Sequence, residues 1–328
     1  MSTIEANPEV EDVPVPRNND HEVTTARTAQ VGDLAVRRLL PLRIRRSVGA
    51  WCFIDHYGPA DADGQAGLHV PPHPHIGLQT VTWLLRGNVL HRDSLGSEQL
   101  IRPGQLNLMT SGRGIAHAEE SVVPTTADRD PVLHGVQLWV ALPEASRHVA
   151  PRFEHHAILP ETMLPEMTTP GMFAGRFDVT VFVGTLADVS SPATAFSPIV
   201  GAELAAAPGQ PATGRLPLRP GFEHVIFVAS GRAEADGVRL GPGQLLYLPT
   251  GLEAAQVAAP GGTTLFLLGG VPLGEQLLMW WNFVARTPEE IAAATASWAA
   301  GEFGSVGGYQ GEPLHAPALD VARLLRPR

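Results

Sequence analysis

The chain has 328 residues, enough for two domains of ordinary size, and a formal net charge of −10 at pH 7. This charge argues against nonspecific binding to nucleic acid or to an anionic membrane. The 34 glycines, 30 prolines and 44% apolar residues are typical of a soluble, loop-rich β-protein, and no apolar run is long enough for a transmembrane helix. Cys52 is the single cysteine, so an intramolecular disulfide is excluded and a small, buried, apolar role is expected.

The N-terminal region is acidic and poor in apolar residues, with prolines at positions 8, 14 and 16. We predict a mobile tail over residues 1–24. It lacks the basic and apolar regions of a secretory signal, so a cytoplasmic location is the default expectation. The chain contains no lysine and much alanine, glycine and proline, a bias typical of GC-rich bacterial genomes.

A group of arginines follows between residues 37 and 46, interleaved with leucines and one isoleucine. The interleaving favours a strand or loop with solvated arginines on one side over a nucleic-acid patch. Trp51–Ile54 then has the composition of a buried strand. His56 comes next, and because no second ligand-type residue lies two positions away, we expect it to be hydrogen-bonded and structural.

The stretch from residue 80 to residue 109 alternates strands and turns. Thr80–Leu85 is rich in β-prone residues and is closed by a turn at Arg86–Asn88, after which Val89–Arg92 forms a second strand. A further turn at Arg102–Gln105 leads into Leu106–Met109, which starts with alternating apolar and polar residues. The pattern predicts three strands joined by turns, as in a small β-barrel.

Two pairs of potential metal ligands bracket this stretch: His73 with His75, and His117 with Glu119. Side chains two residues apart on a strand point to the same face, roughly 6.6 Å apart. If the two strands face each other across a barrel, three imidazoles and one carboxylate converge, which suits a first-row transition metal. A lone His-x-His pair is common in proteins without a metal, whereas two bracketing pairs favour a metal site.

These motifs resemble those of the pirin family, whose N-terminal domain is a cupin barrel. The resemblance rests on residues 73–81 (HPHIGLQTV) and 109–119 (MTSGRGIAHAE), with further similarity at residues 38–41, 53–59 and 138–143. It implies that His73, His75, His117 and Glu119 are the ligands of one metal ion. Gln79 occupies a position where many cupins have a carboxylate ligand, and we expect it at most to support a ligand from behind.

The second half of the chain is a weak repeat of the first. Residues 225–231 align with residues 81–87, and residues 241–251 align with residues 102–112. The repeat predicts an all-β fold of two cupin (jelly-roll) β-barrels in tandem, with a C-terminal helix packed against them. Because the positions that match the four ligands are Pro217, Arg219, Gln256 and Ala258, we predict that the second barrel binds no metal.

The predicted N-terminal metal-binding cupin domain covers residues 25–150, a connection covers residues 151–180, and the second, cupin-like domain covers residues 181–285. Residues 286–328 are predicted to form the C-terminal helix and tail. Thr287, Pro288 and Glu290 are typical of a helix start, the alanine-rich residues 291–300 form its body, and Gly301 ends it.

The resemblance implies a metal-dependent dioxygenase that opens the ring of a flavonol such as quercetin. Glu119, besides being a ligand, is the candidate catalytic base, because it could take the proton of the substrate hydroxyl if it detaches from the ion. The implied cofactor is one divalent transition metal per chain, first of all Fe(2+), although Cu, Ni, Co, Mn or Zn also suit these donors. The expected partners are a small aromatic substrate and dioxygen, without direct nucleic-acid or membrane binding. The alternative is a non-catalytic metal-binding regulatory protein that acts as a transcriptional or redox co-regulator.

Overall fold

The structure, a computed structural model, describes residues 22–32, 34–61, 67–122, 132–164 and 175–319. Within these ranges the chain forms twenty-five strands and one helix. The strands of the first half are β1 (Glu22–Thr25), β2 (Arg27–Val31), β3 (Leu34–Leu40), β4 (Trp51–Asp61), β5 (His69–His75), β6 (Leu78–Arg86), β7 (Val89–Asp93), β8 (Glu98–Ile101), β9 (Leu106–Thr110), β10 (Ile115–Ser121), β11 (Val132–Ala141) and β12 (Arg152–His156).

The second half continues with more strands and the helix. These are β13 (Glu161–Met163), β14 (Phe177–Leu186), β15 (Val189–Ser190), β16 (Ile199–Ala206), β17 (Ala212–Pro217), β18 (Glu223–Ser230), β19 (Ala233–Ala235), β20 (Val238–Leu240), β21 (Gln244–Leu248), β22 (Ala254–Ala259), β23 (Thr264–Gly270), β24 (Leu278–Trp280), β25 (Phe283–Ala285) and α1 (Pro288–Ala299).

Each half forms a lobe of two facing sheets. The first lobe has a seven-stranded sheet, β12-β9-β6-β11-β4-β3-β2, and a four-stranded sheet, β5-β10-β7-β8. The second lobe repeats this plan with β1-β21-β18-β23-β16-β14-β13, to which β15 is added beside β14, and with β17-β22-β19-β20. The predicted all-β fold of two barrels in tandem is therefore confirmed. The hairpin β24-β25 and helix α1 follow the second barrel and pack through Phe283, Ile291 and Ala294.

The two lobes pack through the outer faces of their large sheets. One apolar cluster joins aromatic side chains of both lobes: Trp51, Trp83, Phe182, Phe227 and Phe266. The indole N–H of Trp51 donates to the carbonyl oxygen of Gly269 at 3.0 Å, and that of Trp83 donates to the Glu203 carboxylate at 2.6 Å. Both buried N–H groups therefore find acceptors in the other lobe. The interface is packed like a domain core, and these buried polar groups are hydrogen-bonded as they would be in one.

The interiors of the two barrels differ in chemistry. The second barrel encloses an apolar cluster of 25 buried residues, whereas the cluster inside the first barrel has nine among the described residues. Part of the first barrel's interior is instead occupied by buried polar side chains: His73, His75, His91, His117 and Glu119. The second lobe thus supplies apolar packing, and the first lobe holds the polar interior.

Several predicted segments need correction. Residues 1–21 of the predicted tail lie outside the described residues, but the tail prediction is wrong for its end, because β1 pairs with β21 of the second lobe. The predicted connection over residues 151–180 also contains strands. Strand β12 pairs with β9 in the first lobe, and β13 pairs with β14 in the second. Helix α1 has Thr287 as its N-cap, as predicted, and ends at Ala299, one residue earlier than predicted.

Arg38 and Cys52 are both buried inside the first lobe. The prediction of solvated arginines is wrong for Arg38, which is 2% exposed and donates to the two carboxylate oxygens of Asp55 at 2.7 and 2.6 Å. Cys52 is buried, as predicted, and burial raises the pKa of its thiol to about 12. In the part of the chain that the structure describes, no helix has the length and apolar character to cross a membrane.

Gly77 makes the tight turn between β5 and β6. Its φ is +71°, and a Cβ added there would lie 2.1 Å from the carbonyl oxygen of Val284. Gly104 has a similar φ, +75°, but an added Cβ would find no heavy atom within 4 Å. A substitution at Gly104 therefore carries only the free-energy cost of a left-handed backbone, whereas one at Gly77 also carries the cost of a close contact with another backbone segment.

We expect Gly104→Ala to lower the free energy of unfolding by about 1–2 kcal/mol, the cost of a left-handed L-residue. Gly77→Ala should lower it by a further ~1–3 kcal/mol, because the hairpin at Val284 has to move. Urea unfolding of both variants measures the difference. Equal losses in the two variants would show that the β25 backbone does not constrain this turn.

Candidate metal centre

The antiparallel pairing of β5 with β10 brings the predicted ligand motifs together. His73 lies opposite His117, and His75 lies opposite Ile115. The ring centroid of His117 lies 4.4 Å from that of His73 and 5.0 Å from that of His75, and His73 and His75 are 5.0 Å apart. One ring nitrogen from each of the three lies within 4.8 Å of the other two. The three histidines therefore form one group with metal-like spacing.

Hydrogen bonds orient two of these rings. Nδ1 of His73 lies 2.8 Å from the carbonyl oxygen of Pro71, and Nδ1 of His75 lies 2.9 Å from the carbonyl oxygen of Asn282. A carbonyl oxygen only accepts, so each Nδ1 carries the proton and each Nε2 keeps its lone pair. Such second contacts are what metal-binding histidines usually make.

His117 completes the group with an unsatisfied atom. Its ring is 1% exposed, and its Nε2 is buried without a hydrogen-bond partner in the structure. Leaving a buried polar atom unpaired costs free energy, about 1–3 kcal/mol. A cation bound by the three nitrogens would remove that cost, so the residues present fit a metal ion.

Glu119 lies beside the three histidines rather than inside their group. The pairing of β10 with β5 shifts by one residue after His117, so that Glu119 lies opposite Val70. The Glu119 carboxylate belongs to a second group at the same spacing, with His91 and His117, so the two groups share His117. Its Oε1 accepts a hydrogen bond from the Thr82 hydroxyl at 2.8 Å. The assignment of Glu119 as a fourth ligand stays a prediction.

Burial sets the protonation states of the site. It lowers the pKa of His73 to about 4 and the pKa values of His75 and His117 well below the usual value. Burial also raises the pKa of Glu119, partly offset by His91 and by the Thr82 hydrogen bond. At neutral pH the three imidazoles are therefore neutral, as metal ligation requires.

A cavity of about 50 Å³ opens onto His73, His75 and Glu119. One side is aromatic, since the rings of Phe53 and Trp139 stack with centroids 4.1 Å apart. Polar residues line it as well: Asp55, Tyr57, Gln137 and Asn282. This volume has room for a few water molecules, so a larger ligand reaches the histidines only with one edge.

Two family models match this chain: the model described as Pirin over residues 33–140, and the model described as Pirin C-terminal cupin domain over residues 203–304. A Pseudomonas aeruginosa protein named "putative quercetin 2,3-dioxygenase" is 42% identical over 93% of this chain and 93% of its own length. A pirin-like protein of Caulobacter vibrioides is 35% identical over 85% of this chain and 93% of its own length. The chain belongs to the pirin family.

A solved structure agrees with this assignment. The crystal structure of a quercetin 2,3-dioxygenase from Acinetobacter baumannii superposes with a TM-score of 0.81 and 39% sequence identity, covering 92% of this chain and 96% of that chain. The similarity spans both barrels. The two-barrel architecture of this pirin is therefore shared along nearly its whole length.

Sequence reasoning missed His91 and Asp93 of this pirin. They lie on β7, and His91 Nδ1 is 3.4 Å from Nδ1 of His117. His91 Nε2 is 3.3 Å from Oδ2 of Asp93. The signal that pointed to them was available, since His91 and Asp93 are two residues apart on a strand, the same spacing as in the two ligand motifs.

Two other predicted residues lie away from the centre. His56 is hydrogen-bonded, as predicted: it accepts from Arg37 Nε at 3.3 Å, and its Nε2 lies 2.9 Å from Nε2 of His134. Gln79 does not support a ligand, and that prediction is wrong. Its amide nitrogen donates to Thr110 Oγ1 at 2.9 Å and to the carbonyl oxygen of Thr194 at 3.0 Å. Thr82, which contacts Glu119, lies three residues further along β6. Side chains on a strand alternate between faces, so Gln79 points to the face opposite Thr82 and Glu119.

The matching region of the second lobe corrects the sequence alignment. On β17 and β22, Arg215 lies opposite Gln256, and Pro217 lies opposite Ala254. Because Gln256 aligns with His117, Arg215 and Pro217 match His73 and His75, two residues earlier than predicted. The chain needs five residues between β17 and β18, 218–222, but only two between β5 and β6. Arginine and proline side chains are not metal ligands, and the metal-free second barrel stays a prediction.

We expect the double variant His73→Ala, His75→Ala to lose stoichiometric metal binding, because two of the three converging nitrogens are removed. Metal analysis after loading and desalting measures the ratio, which should be near one in the wild type. His155→Ala with His156→Ala, on β12, is a matched control that should keep one equivalent. A full equivalent in the first variant would reject the site, and two equivalents in the wild type would reject a metal-free second barrel.

The metal-free protein should lose stability as the solution becomes acidic. His73 has a folded pKa of about 4, and an unfolded histidine has one of about 6.5, so between these values the unfolded state binds more protons. Its contribution to stability is present above pH 6.5 and is lost as the pH falls toward 4. We expect about 2 kcal/mol less from His73 alone at pH 5 than at pH 7.

Urea unfolding of chelator-treated protein at both pH values measures this loss. The double variant His73→Gln, His75→Gln should show a smaller dependence on pH, because glutamine does not titrate. An identical dependence in the wild type and this variant would show that these imidazoles are not held neutral by the fold.

Proposed function

We propose that this pirin is a metal-dependent dioxygenase that opens the ring of a flavonol such as quercetin. The observation that supports this most is the group of three buried imidazoles beside a buried carboxylate, reached from an aromatic-walled cavity. The names of the relatives from P. aeruginosa and A. baumannii agree with this reaction. A cytoplasmic location goes with the proposal.

In this proposal, His73, His75, His117 and Glu119 hold one divalent metal ion. Three imidazoles and a carboxylate suit Fe(2+), and Cu, Ni, Co, Mn or Zn remain compatible with the same donors. A metal ion held there would polarise an oxygen donor of the substrate and lower the pKa of its hydroxyl group. The neutral state of the three histidines at pH 7 keeps the nitrogen lone pairs free for this role.

The cavity wall positions the substrate. Phe53 and Trp139 stack on each other, and the Trp139 ring lies at 78° to the His75 ring with a centroid distance of 5.1 Å. A planar aromatic ring placed against this wall would have its edge directed toward the histidines. Because the cavity is only about 50 Å³, the oxygen-bearing edge of a flavonol enters while the remainder lies across the mouth.

Glu119 is the candidate base. Burial raises its pKa, which makes its carboxylate a better proton acceptor than an exposed glutamate. The Thr82 hydroxyl holds Oε1, so the second oxygen would take the proton of the substrate hydroxyl once Glu119 detaches from the metal ion. One side chain would thus serve both the metal and the proton transfer.

We expect Glu119→Gln to lower turnover of the flavonol by about 10²–10⁴-fold, the usual range for a lost general base, while some metal stays bound. Oxygen uptake with quercetin and metal analysis measure the two effects separately. Glu120→Gln is the matched control, because Glu120 is the next residue on β10 and pairs with Arg92 instead. Unchanged turnover at unchanged metal content would remove Glu119 from the proposed role.

The alternative is a non-catalytic metal-binding regulatory protein, a transcriptional or redox co-regulator. The small volume of the cavity is the observation that favours it. If the wild-type protein, loaded in turn with Fe, Cu, Ni, Co and Mn, consumes no oxygen with any flavonol, the enzyme proposal should be replaced by this one.

A further inference from the structure

Behind His117 lies a second pair of buried polar residues that the proposed reaction does not use. Strand β7 pairs with β10 on the side away from β5, with His91 opposite Glu119 and Asp93 opposite His117. His91 is 2% exposed and Asp93 is 1% exposed. Two buried polar side chains in contact with a predicted ligand require an explanation, because unpaired they would destabilise the fold.

The geometry fixes the direction of the hydrogen bonds in this pair. If His117 offers Nε2 to a metal, its proton is on Nδ1, which lies 3.4 Å from Nδ1 of His91. His91 then accepts at Nδ1 and carries its own proton on Nε2, which lies 3.3 Å from Oδ2 of Asp93. The result is a directed chain in which His117 donates to His91 and His91 donates to Asp93.

The far end of this chain is fixed. Oδ1 of Asp93 accepts the backbone N–H groups of Leu95 at 2.9 Å and Ser97 at 3.0 Å. The ring of His91 stacks on Phe153, with a centroid distance of 4.4 Å and an interplanar angle of 14°. Both side chains are therefore held in place before any metal binds.

The three histidines of the centre differ in this respect. Nδ1 of His73 and Nδ1 of His75 face neutral backbone carbonyls, of Pro71 and Asn282. The Nδ1–H of His117 instead leads through a second imidazole to a carboxylate. A carboxylate at the end of such a chain raises the electron density of the ring and strengthens it as a ligand.

We propose that His91 and Asp93 are positioning residues that hold His117 in the Nδ1-protonated tautomer and make it the strongest nitrogen donor of the centre. The inference rests on the proposed metal site, and not on the reaction that the metal supports. Removal of outer partners of this kind usually weakens metal binding by about 10–100-fold.

Two variants test different links of the hydrogen-bond chain from His117 to Asp93. His91→Phe keeps an aromatic ring for the stack on Phe153 but removes both nitrogens. In Asp93→Asn the amide oxygen should stay on the N–H groups of Leu95 and Ser97, which turns the NH₂ toward His91. His91 would then have to accept at Nε2 and donate from Nδ1, which pushes the proton of His117 onto Nε2. Asp93→Asn should therefore weaken metal binding at least as much as His91→Phe.

The experiment is a Co(II) titration of the full-length chain, followed by visible absorption, with His69→Phe as the control. His69 lies on β5 with a 55% exposed side chain and should bind Co(II) as the wild type does after replacement. We expect both test variants to bind one equivalent about 10–100-fold more weakly, with the Co(II) absorption bands unchanged in number and intensity. In iron-loaded protein, Asp93→Asn should also raise the Fe(III)/Fe(II) reduction potential, because a negative charge is removed.

Three outcomes would overturn the inference. A wild-type Co(II) affinity in both variants, with a wild-type iron reduction potential in Asp93→Asn, would show that His91 and Asp93 do not act on His117. A lower stoichiometry or an altered Co(II) spectrum in His91→Phe would make His91 a ligand. If the wild type binds no Co(II), the metal site itself is wrong and the inference fails with it, which is distinguishable from the first outcome. Urea unfolding of the metal-free variants confirms that the comparison is made on folded protein.

Discussion

The register between β5 and β10 is the constraint on which the centre of this pirin depends. Side chains on a strand alternate between faces, so a shift of one residue would turn His73 and His75 out of the barrel. With His73 opposite His117, three imidazoles are brought to one point from two neighbouring strands. Beyond the pair of His75 with Ile115, the N–H of Gly77 donates to the carbonyl oxygen of Gly112 at 2.9 Å. Beyond the pair of His73 with His117, the register shifts by one residue, so that Glu119 lies opposite Val70.

Burying these imidazoles costs free energy, which the rest of the fold must offset. Each loses its hydration, as the lowered pKa values show, and the first barrel has the smaller apolar interior. The second barrel and the interface between the lobes supply the missing apolar burial. Strand β1 adds to this by joining the N-terminal part of the chain to the sheet of the second lobe. The second barrel can therefore be essential to the first without having a site of its own.

The sequence was sufficient where the information was local or periodic. The spacing of two residues in His73/His75 and His117/Glu119, the turn signals and the start of α1 at Thr287 all depend on neighbours along the chain. The pairing of Arg38 with Asp55, 17 residues away, was not local, and neither was the contact of His91 with His117, 26 residues away. Gln79 was misjudged because a cupin pattern gives its position along the strand, but only the sheet shows which face points into the barrel.

The hydrogen bond that orients His75 shows that the geometry of the centre depends on a distant part of the chain. Its acceptor, the carbonyl oxygen of Asn282, is 207 residues away and lies beyond the second barrel. Asn282 follows Trp281, a bulky residue with φ of +51°, in the turn between β24 and β25. Such a backbone conformation is unfavourable for a tryptophan and persists only where the surroundings enforce it, here the packing of Trp281 with Phe283 and α1. The same hairpin bonds to the main chain at Ile76, directly after β5, so a hairpin that follows the second barrel completes the geometry of a motif in the first third of the chain.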